Sequence, residues 1–348
     1  MKESSPLLIC GPCSAESEIQ LINTAKEISN IGYVHAFRAG IWKPRTRPNS
    51  FEGIGEEALT WMENVKKETG LLLATEVANT KHVELCLKHN IDILWIGART
   101  SGNPFSVQEI AEALKGSDVT VMVKNPIQPD IPVWLGAIER IYNVGLEKVV
   151  AVHRGFSAAK NSPFRNDPLW EIPFELKTEF PDLKIICDPS HISGNRKLIP
   201  MLSQKAMDLD MDGLLVESHI QPKNAWSDSF QQLSPKELDL MLNNLILRKP
   251  YSVNKQLKTE IGKLRDSIDE IDDKILQLLF SRTKVERQIG KYKSEHSLSE
   301  FQKGRWEKVL QNRIMLGTVM GMKEEFVKDL FNLIHEESIE IQKEVLDI

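Results

Sequence analysis

Eight short apolar runs, set apart by amphipathic stretches between residues 7 and 219, constrain this chain more than any other feature. They are LLIC (7–10), VHAFRAG (34–40), LLLATEV (71–77), ILWIGA (93–98), TVMVKNP (120–126), KVVAVHRG (148–155), KIICDPSH (184–191) and GLLVESH (213–219). Each is nearly continuously apolar, as a strand buried on both faces of a parallel sheet must be. Between them, EIQLINTAKEIS (18–29) and EEALTWMENVKKE (56–68) place apolar residues every three or four positions, the period of a helix with one buried face. Eight strand–helix units in about 240 residues predict an α/β fold closed as a (β/α)8 TIM barrel. The competing open, doubly wound sheet generally needs fewer units.

The pattern changes after RKPYSVN (248–254). No proline occurs from 251 to 348, and Leu257, Ile261, Leu264, Ile268, Ile271, Ile275 and Leu278 are spaced 4, 3, 4, 3, 4, 3. That beat predicts a long helix needing a partner along one stripe. Further helices are expected near 301–316 and 323–346, with Gly317 and Gly321 between them. The expected organisation is a barrel over 1–249, a linker over 250–254 and a small all-α domain over 255–348.

A formal net charge of −5 argues against a nucleic-acid surface, and no apolar stretch is long enough for a membrane span. The N-terminal Met-Lys-Glu-Ser-Ser leads into the first run without a signal-peptide core. Four cysteines (10, 13, 86, 187) in a chain this long do not make a secreted disulfide framework. A cytoplasmic location follows as the expectation.

Active sites of such barrels lie at the C-terminal ends of the strands. Arg38, Lys43, Arg45, Arg99, Lys124 and Arg154 fall there, and together they would form a concentrated positive cup in an acidic protein. Guanidinium forks and ammonium point charges suit phosphates and carboxylates. Singly, each would be a solvated loop charge. A second set, Cys13, His191, Glu217 and Asp228, closes strands one, seven and eight, neighbours around a closed barrel. A thiolate, an imidazole and two carboxylates suit a borderline divalent ion such as manganese, iron, cobalt or zinc, and sulfur argues against magnesium. Cys10-Gly11-Pro12-Cys13 also matches a thioredoxin C-x-x-C, but it lacks the helix that would start at the motif. Cys10 is expected in the core and Cys13 at the site.

With GPCSAE (11–16), FRAGIWKPRTRPNSFEG (37–53), WIGAR (95–99), HRGF (153–156) and DPSH (188–191), the first 250 residues resemble the 3-deoxy-D-arabino-heptulosonate-7-phosphate (DAHP) synthases. The resemblance implies metal ligation by Cys13, His191, Glu217 and Asp228. It implies phosphoenolpyruvate contacts from Arg38, Lys43, Arg99, Lys124 and Arg154, with Arg45 and Thr46 on the phosphate of erythrose 4-phosphate. Lys43-Pro44-Arg45-Thr46 stands where the sister 3-deoxy-8-phosphooctulonate synthases typically have K-A-N-R-S. Asn125-Pro126 departs from the basic residue and glycine common after this lysine.

Residues 255–348 resemble the all-helical, dimeric chorismate mutases, whose active-site positions fall on Arg265, Arg282, Lys293, Arg305, Ser338 and Gln342. Arg282 and Lys293 are 11 apart and share a helix face, whereas Arg265 lies roughly 100° round from it. Ser338 and Gln342 share a face as an i, i+4 pair. In the family the first arginine comes from the other chain, so a homodimer is implied. Gln302 and Trp306 stand where relatives often place carboxylates, which leaves open a catalytically weak, regulatory domain. The implied mutase partners are chorismate and prephenate, with no cofactor. Because the first strand begins near Leu7, feedback control is expected through the C-terminal helices, with prephenate as inhibitor.

Overall fold

The computed structural model describes residues 5–44, 51–158, 162–247, 255–296 and 303–346. The chain divides into two compact units, Met1–Pro250 and Tyr251–Ile348. The linker expected over 250–254 lies outside the described residues.

In the first unit, strands β1 (Leu7–Gly11), β2 (Ala36–Arg38), β3 (Leu72–Val77), β4 (Ile93–Ile96), β5 (Thr120–Lys124) and β6 (Val149–His153) pair in sequence order. A short antiparallel pair, β7 (Phe156–Ser157) and β8 (Asn166–Asp167), interrupts the loop after β6. The sheet resumes with β9 (Lys184–Cys187) and β10 (Gly213–Glu217), and β10 pairs with β1 to close the barrel. All eight barrel strands are parallel. The closing register sets Gly11 opposite Glu217, so the first and last strands deliver their ends to one place.

Alternation along each strand divides the core in two. Ile9, Ala74, Trp95, Met122, Val152 and Leu215 pack together inside the barrel. Their neighbours Cys10, Phe37, Leu94, Val123 and Val216 join the layer beneath the helices. Cys10 therefore faces the helices, while Cys13 lies beyond the end of β1. Gly11 permits this turn: its φ is +152°, and a Cβ there would stand 2.1 Å from the Arg38 carbonyl oxygen.

The second unit consists of helices Lys255–Glu295, Lys303–Val319 and Glu324–Leu346. Gly317, expected between helices, instead lies within the second one. A Cβ there would meet the Val327 side chain at 2.5 Å, so its smallness admits the third helix. The first helix is 41 residues long, about 60 Å at 1.5 Å per residue. Along its stripe Ile261, Leu264, Ile268, Ile271, Ile275 and Leu278 remain between 40% and 70% exposed. No helix among the described residues is long and apolar enough to cross a membrane.

Candidate active sites

The end of β1 carries Cys13, whose amide donates to Gln232 Oε1 at 3.0 Å. Its Sγ stands 3.4 Å from Asp228 Oδ2 and 3.0 Å from Lys43 Nζ. Glu217 is the last residue of β10, and Asp228 lies in the loop that follows, at a φ of 48°. A non-glycine residue in that left-handed region is costly and marks a carboxylate held by its surroundings. Ligand atoms of Cys13, Glu217 and Asp228 all lie within 4.8 Å of one another.

His191 approaches from the short Pro189–Ser193 helix, N-capped by Asp188. Asp188 Oδ1 accepts from the His191 amide at 3.0 Å, and Oδ2 lies 2.8 Å from its Nδ1. The ring therefore presents Nε2 to the site, 3.7 Å from Glu217 Oε1. A carboxylate behind the imidazole is the usual support of a metal-binding histidine.

Burial and the Glu217 carboxylate push the Cys13 thiol up to about 12, against the pull of Lys43. Burial also raises Glu217 and Asp228, but neighbouring charges outweigh it. His191 and Arg38 bring Glu217 below its ordinary value; Arg165, His191 and Lys43 do the same for Asp228. Burial lowers the His191 imidazole below its ordinary value, against the pull of the Asp188 and Glu217 carboxylates. A soft sulfur, an imidazole and two carboxylates fit a divalent transition ion.

The cationic set lines the same cavity, about 210 Å³ in volume, where Lys43, Arg99, Lys124 and Arg154 meet His191 and Asp228. Lys124 donates to Asp188 Oδ2 at 2.9 Å, and Arg154 to Asn166 Oδ1 at 2.7 Å. Arg38 is buried, lies 4.8 Å above the Trp95 ring and donates to Glu217 Oε1 at 3.2 Å. Its Nε and Nη1 are buried without a hydrogen-bond partner among the described residues. Buried donors of this kind call for a further acceptor, a water or a ligand oxygen. Arg45 and Thr46 lie outside the described residues.

In the helical unit, Arg282 Nη1 donates to Ser338 Oγ at 2.6 Å and also to Glu286. Lys293 Nζ donates to Gln342 Oε1 at 2.8 Å. Four predicted residues thus meet between the first and third helices. Arg265 and Arg305 are exposed elsewhere. Arg265 precedes Arg282 by 17 residues, about 25 Å along the axis, beyond any shared ligand. Trp306 stacks on His335 with centroids 3.8 Å apart.

Residues 2–248 match the DAHP synthetase I family. The chain belongs to that family. Residues 264–343 match chorismate mutase type II, so the synthase carries a mutase domain C-terminal to its barrel in sequence. It is a bifunctional enzyme, a transferase joined to an isomerase. Over 261 residues it is 30% identical to the phospho-2-dehydro-3-deoxyheptonate aldolase of Thermotoga maritima, covering 75% of this chain and 70% of that one. A crystal structure of DAHP synthase from Thermotoga maritima superposes with a TM-score of 0.61 at 27% identity, again over 75% and 70% of the two chains. The 2-dehydro-3-deoxyphosphooctonate aldolase of Francisella tularensis is 26% identical over 277 residues, 73% of this chain and 94% of that protein.

Sequence reasoning about the synthase missed Gln231, which binds Glu217, and Glu76, a carboxylate in the cationic cavity. In the mutase domain it missed Glu286, buried against Arg282 and Ser338. The i, i+4 spacing of Arg282 and Glu286 was the available signal.

Proposed function

We propose that the barrel condenses phosphoenolpyruvate with erythrose 4-phosphate to give DAHP and inorganic phosphate, in a cytoplasmic, metal-dependent reaction. One observation carries this reading: the Cys13, Glu217 and Asp228 donor cluster adjoins a cavity walled by cations. A divalent transition ion held by Cys13, His191, Glu217 and Asp228 would supply Lewis acidity toward an aldehyde oxygen.

The chain's own residues do the positioning. Arg38, whose Nε and Nη1 have no partner among the described residues, and Lys124, Arg99 and Arg154 hold the carboxylate and phosphate of phosphoenolpyruvate. That fixes its methylene carbon toward the aldehyde carbon, where the new bond forms. Water then adds at C2 and phosphate leaves. Lys43, bound to Cys13, keeps positive charge beside the sulfur. Arg45 and Thr46 are assigned to the acceptor's phosphate. Loss of phosphoenolpyruvate absorbance with erythrose 4-phosphate tests the reading. A preference for arabinose 5-phosphate would replace it with the eight-carbon synthase reaction.

The helical domain rearranges chorismate to prephenate without a cofactor, as a homodimer that buries the exposed stripe. Arg282, Arg305, Ser338 and Arg265 of the partner subunit hold the two carboxylates. Lys293 and Gln342 stabilise charge growing on the ether oxygen. Prephenate bound there inhibits the synthase.

A further inference from the structure

A polar bridge joins the metal-binding carboxylates through Arg165, which also lines the cationic cavity, and Gln231; neither has been given a part in the chemistry above. Arg165 Nη1 donates to Asp228 Oδ1 at 3.1 Å and to Gln231 Oε1 at 2.6 Å. Gln231 Nε2 donates onward to Glu217 Oε2 at 2.7 Å. The guanidinium can only donate, so the Gln231 amide has one workable orientation, oxygen toward Arg165 and nitrogen toward Glu217. Each carboxylate thus gives one oxygen to the bridge and turns the other inward. Asp228 Oδ2 faces Cys13 Sγ, and Glu217 Oε1 faces Arg38 and His191.

Both members of the bridge are seated. Gln231 is buried, and its amide closes the Asp228 turn by donating to the Asp228 carbonyl at 3.1 Å. Arg165 immediately precedes β8, and its amide donates to Ser193 O at 3.3 Å. Its side chain crosses Gly194, where a Cβ would come within 2.6 Å of Arg165 Cβ. Gly194 itself has a φ of +62°. The bridge therefore ties the β7–β8 insert and the end of the His191 helix to the Asp228 loop.

We propose that Arg165 and Gln231 are positioning residues which orient Asp228 and Glu217 toward the metal. Without the cation, two ionised carboxylates would repel each other, and Asp228 would lose the contact opposing its left-handed backbone. The proposal rests on the metal-dependent reading above. Outer partners of metal ligands commonly govern affinity by about 10–100-fold.

Chelator-stripped full-length protein would be titrated with cobalt(II) against a competing chelator, following the sulfur-to-cobalt absorption that reports Cys13. Wild type should bind one equivalent. Gln231→Leu and Arg165→Met should each weaken binding about 10–100-fold. The double variant should lose less than the product of the two, because both act through one bridge. Arg165→Lys should recover most of the affinity. At saturating metal, kcat should return to within a few-fold of wild type, as expected of residues that act through the ligands. Wild type that binds no cobalt would overturn both the metal reading and the bridge. Wild-type binding with unchanged affinity in both variants would overturn the bridge alone. So would an Arg165→Met variant altered only in KM, which would make Arg165 a substrate contact.

Discussion

Lys43 Nζ stands 3.0 Å from Cys13 Sγ and 2.9 Å from the carbonyl oxygen of the same residue. One ammonium thus holds both the backbone and the sulfur of Cys13 at the end of β1. Three residues earlier, Cys10 packs in the core beneath the helices. The two cysteines of the C-x-x-C therefore differ in kind. Cys13→Ala should abolish stoichiometric metal and synthase activity. Cys10→Ala should keep both and cost about 1 kcal/mol of stability, as an ordinary core truncation does. Metal content by elemental analysis and urea unfolding check the two outcomes; stoichiometric metal in Cys13→Ala would remove it from the ligand set.

Acid should weaken the barrel before its carboxylates titrate. Burial pushes His153 down to about 3 and His82 down to about 4. Folded, both stay neutral through mild acid; unfolded, each protonates near its ordinary value of about 6.5. The unfolded state then binds more protons, so stability falls as pH drops from about 6.5 toward 4. Asp188, Glu217 and Asp228 are lowered, and their contribution is lost only below the ordinary carboxylate range. Urea midpoints should decline between pH 7 and 5, and His153→Phe should flatten the decline. An unchanged slope in that variant would refute the assignment.

Mutase activity should require two chains. Arg265 is about 25 Å along the helix from Arg282, and the stripe beside it is exposed. Arg265→Ala and Arg282→Ala should each be inactive alone. Mixed with subunit exchange, each heterodimer should recover one of its two sites. No rescue despite confirmed exchange would place the active site within one chain.

Prephenate should inhibit the full-length synthase, whereas a chain ending at Leu247 should keep synthase activity and escape inhibition. Such coupling requires prephenate to bind two arrangements of the protein unequally. Equal sensitivity of the two chains would locate the inhibitor on the barrel.

The barrel was legible because parallel strands buried on both faces leave continuous apolar runs, and eight were present. Cys13 and Glu217 could be grouped because closure makes the first and last strands neighbours, a register seen in Gly11 opposite Glu217. The Arg165–Gln231 bridge was not legible. Its members are 66 positions apart and meet only through side chains from two loops. Asp188 shows the same limit. Its strand-end place was visible, but not that one carboxylate would serve Lys124, the His191 ring and the His191 amide. In the helical domain the apolar beat foretold the long helix. It did not reveal that Gly317 lies inside a helix, since only the approach of Val327 requires it there.

On the proposed reading, the thiol–imidazole–carboxylate cluster and the cationic cavity act as one metal-dependent synthase site. Its most direct test follows phosphoenolpyruvate loss on adding erythrose 4-phosphate to native, chelator-stripped and manganese-restored protein. Turnover should occur in native protein, be lost on stripping and return with metal, with Cys13→Ala inactive throughout. Undiminished turnover by fully stripped protein would contradict it.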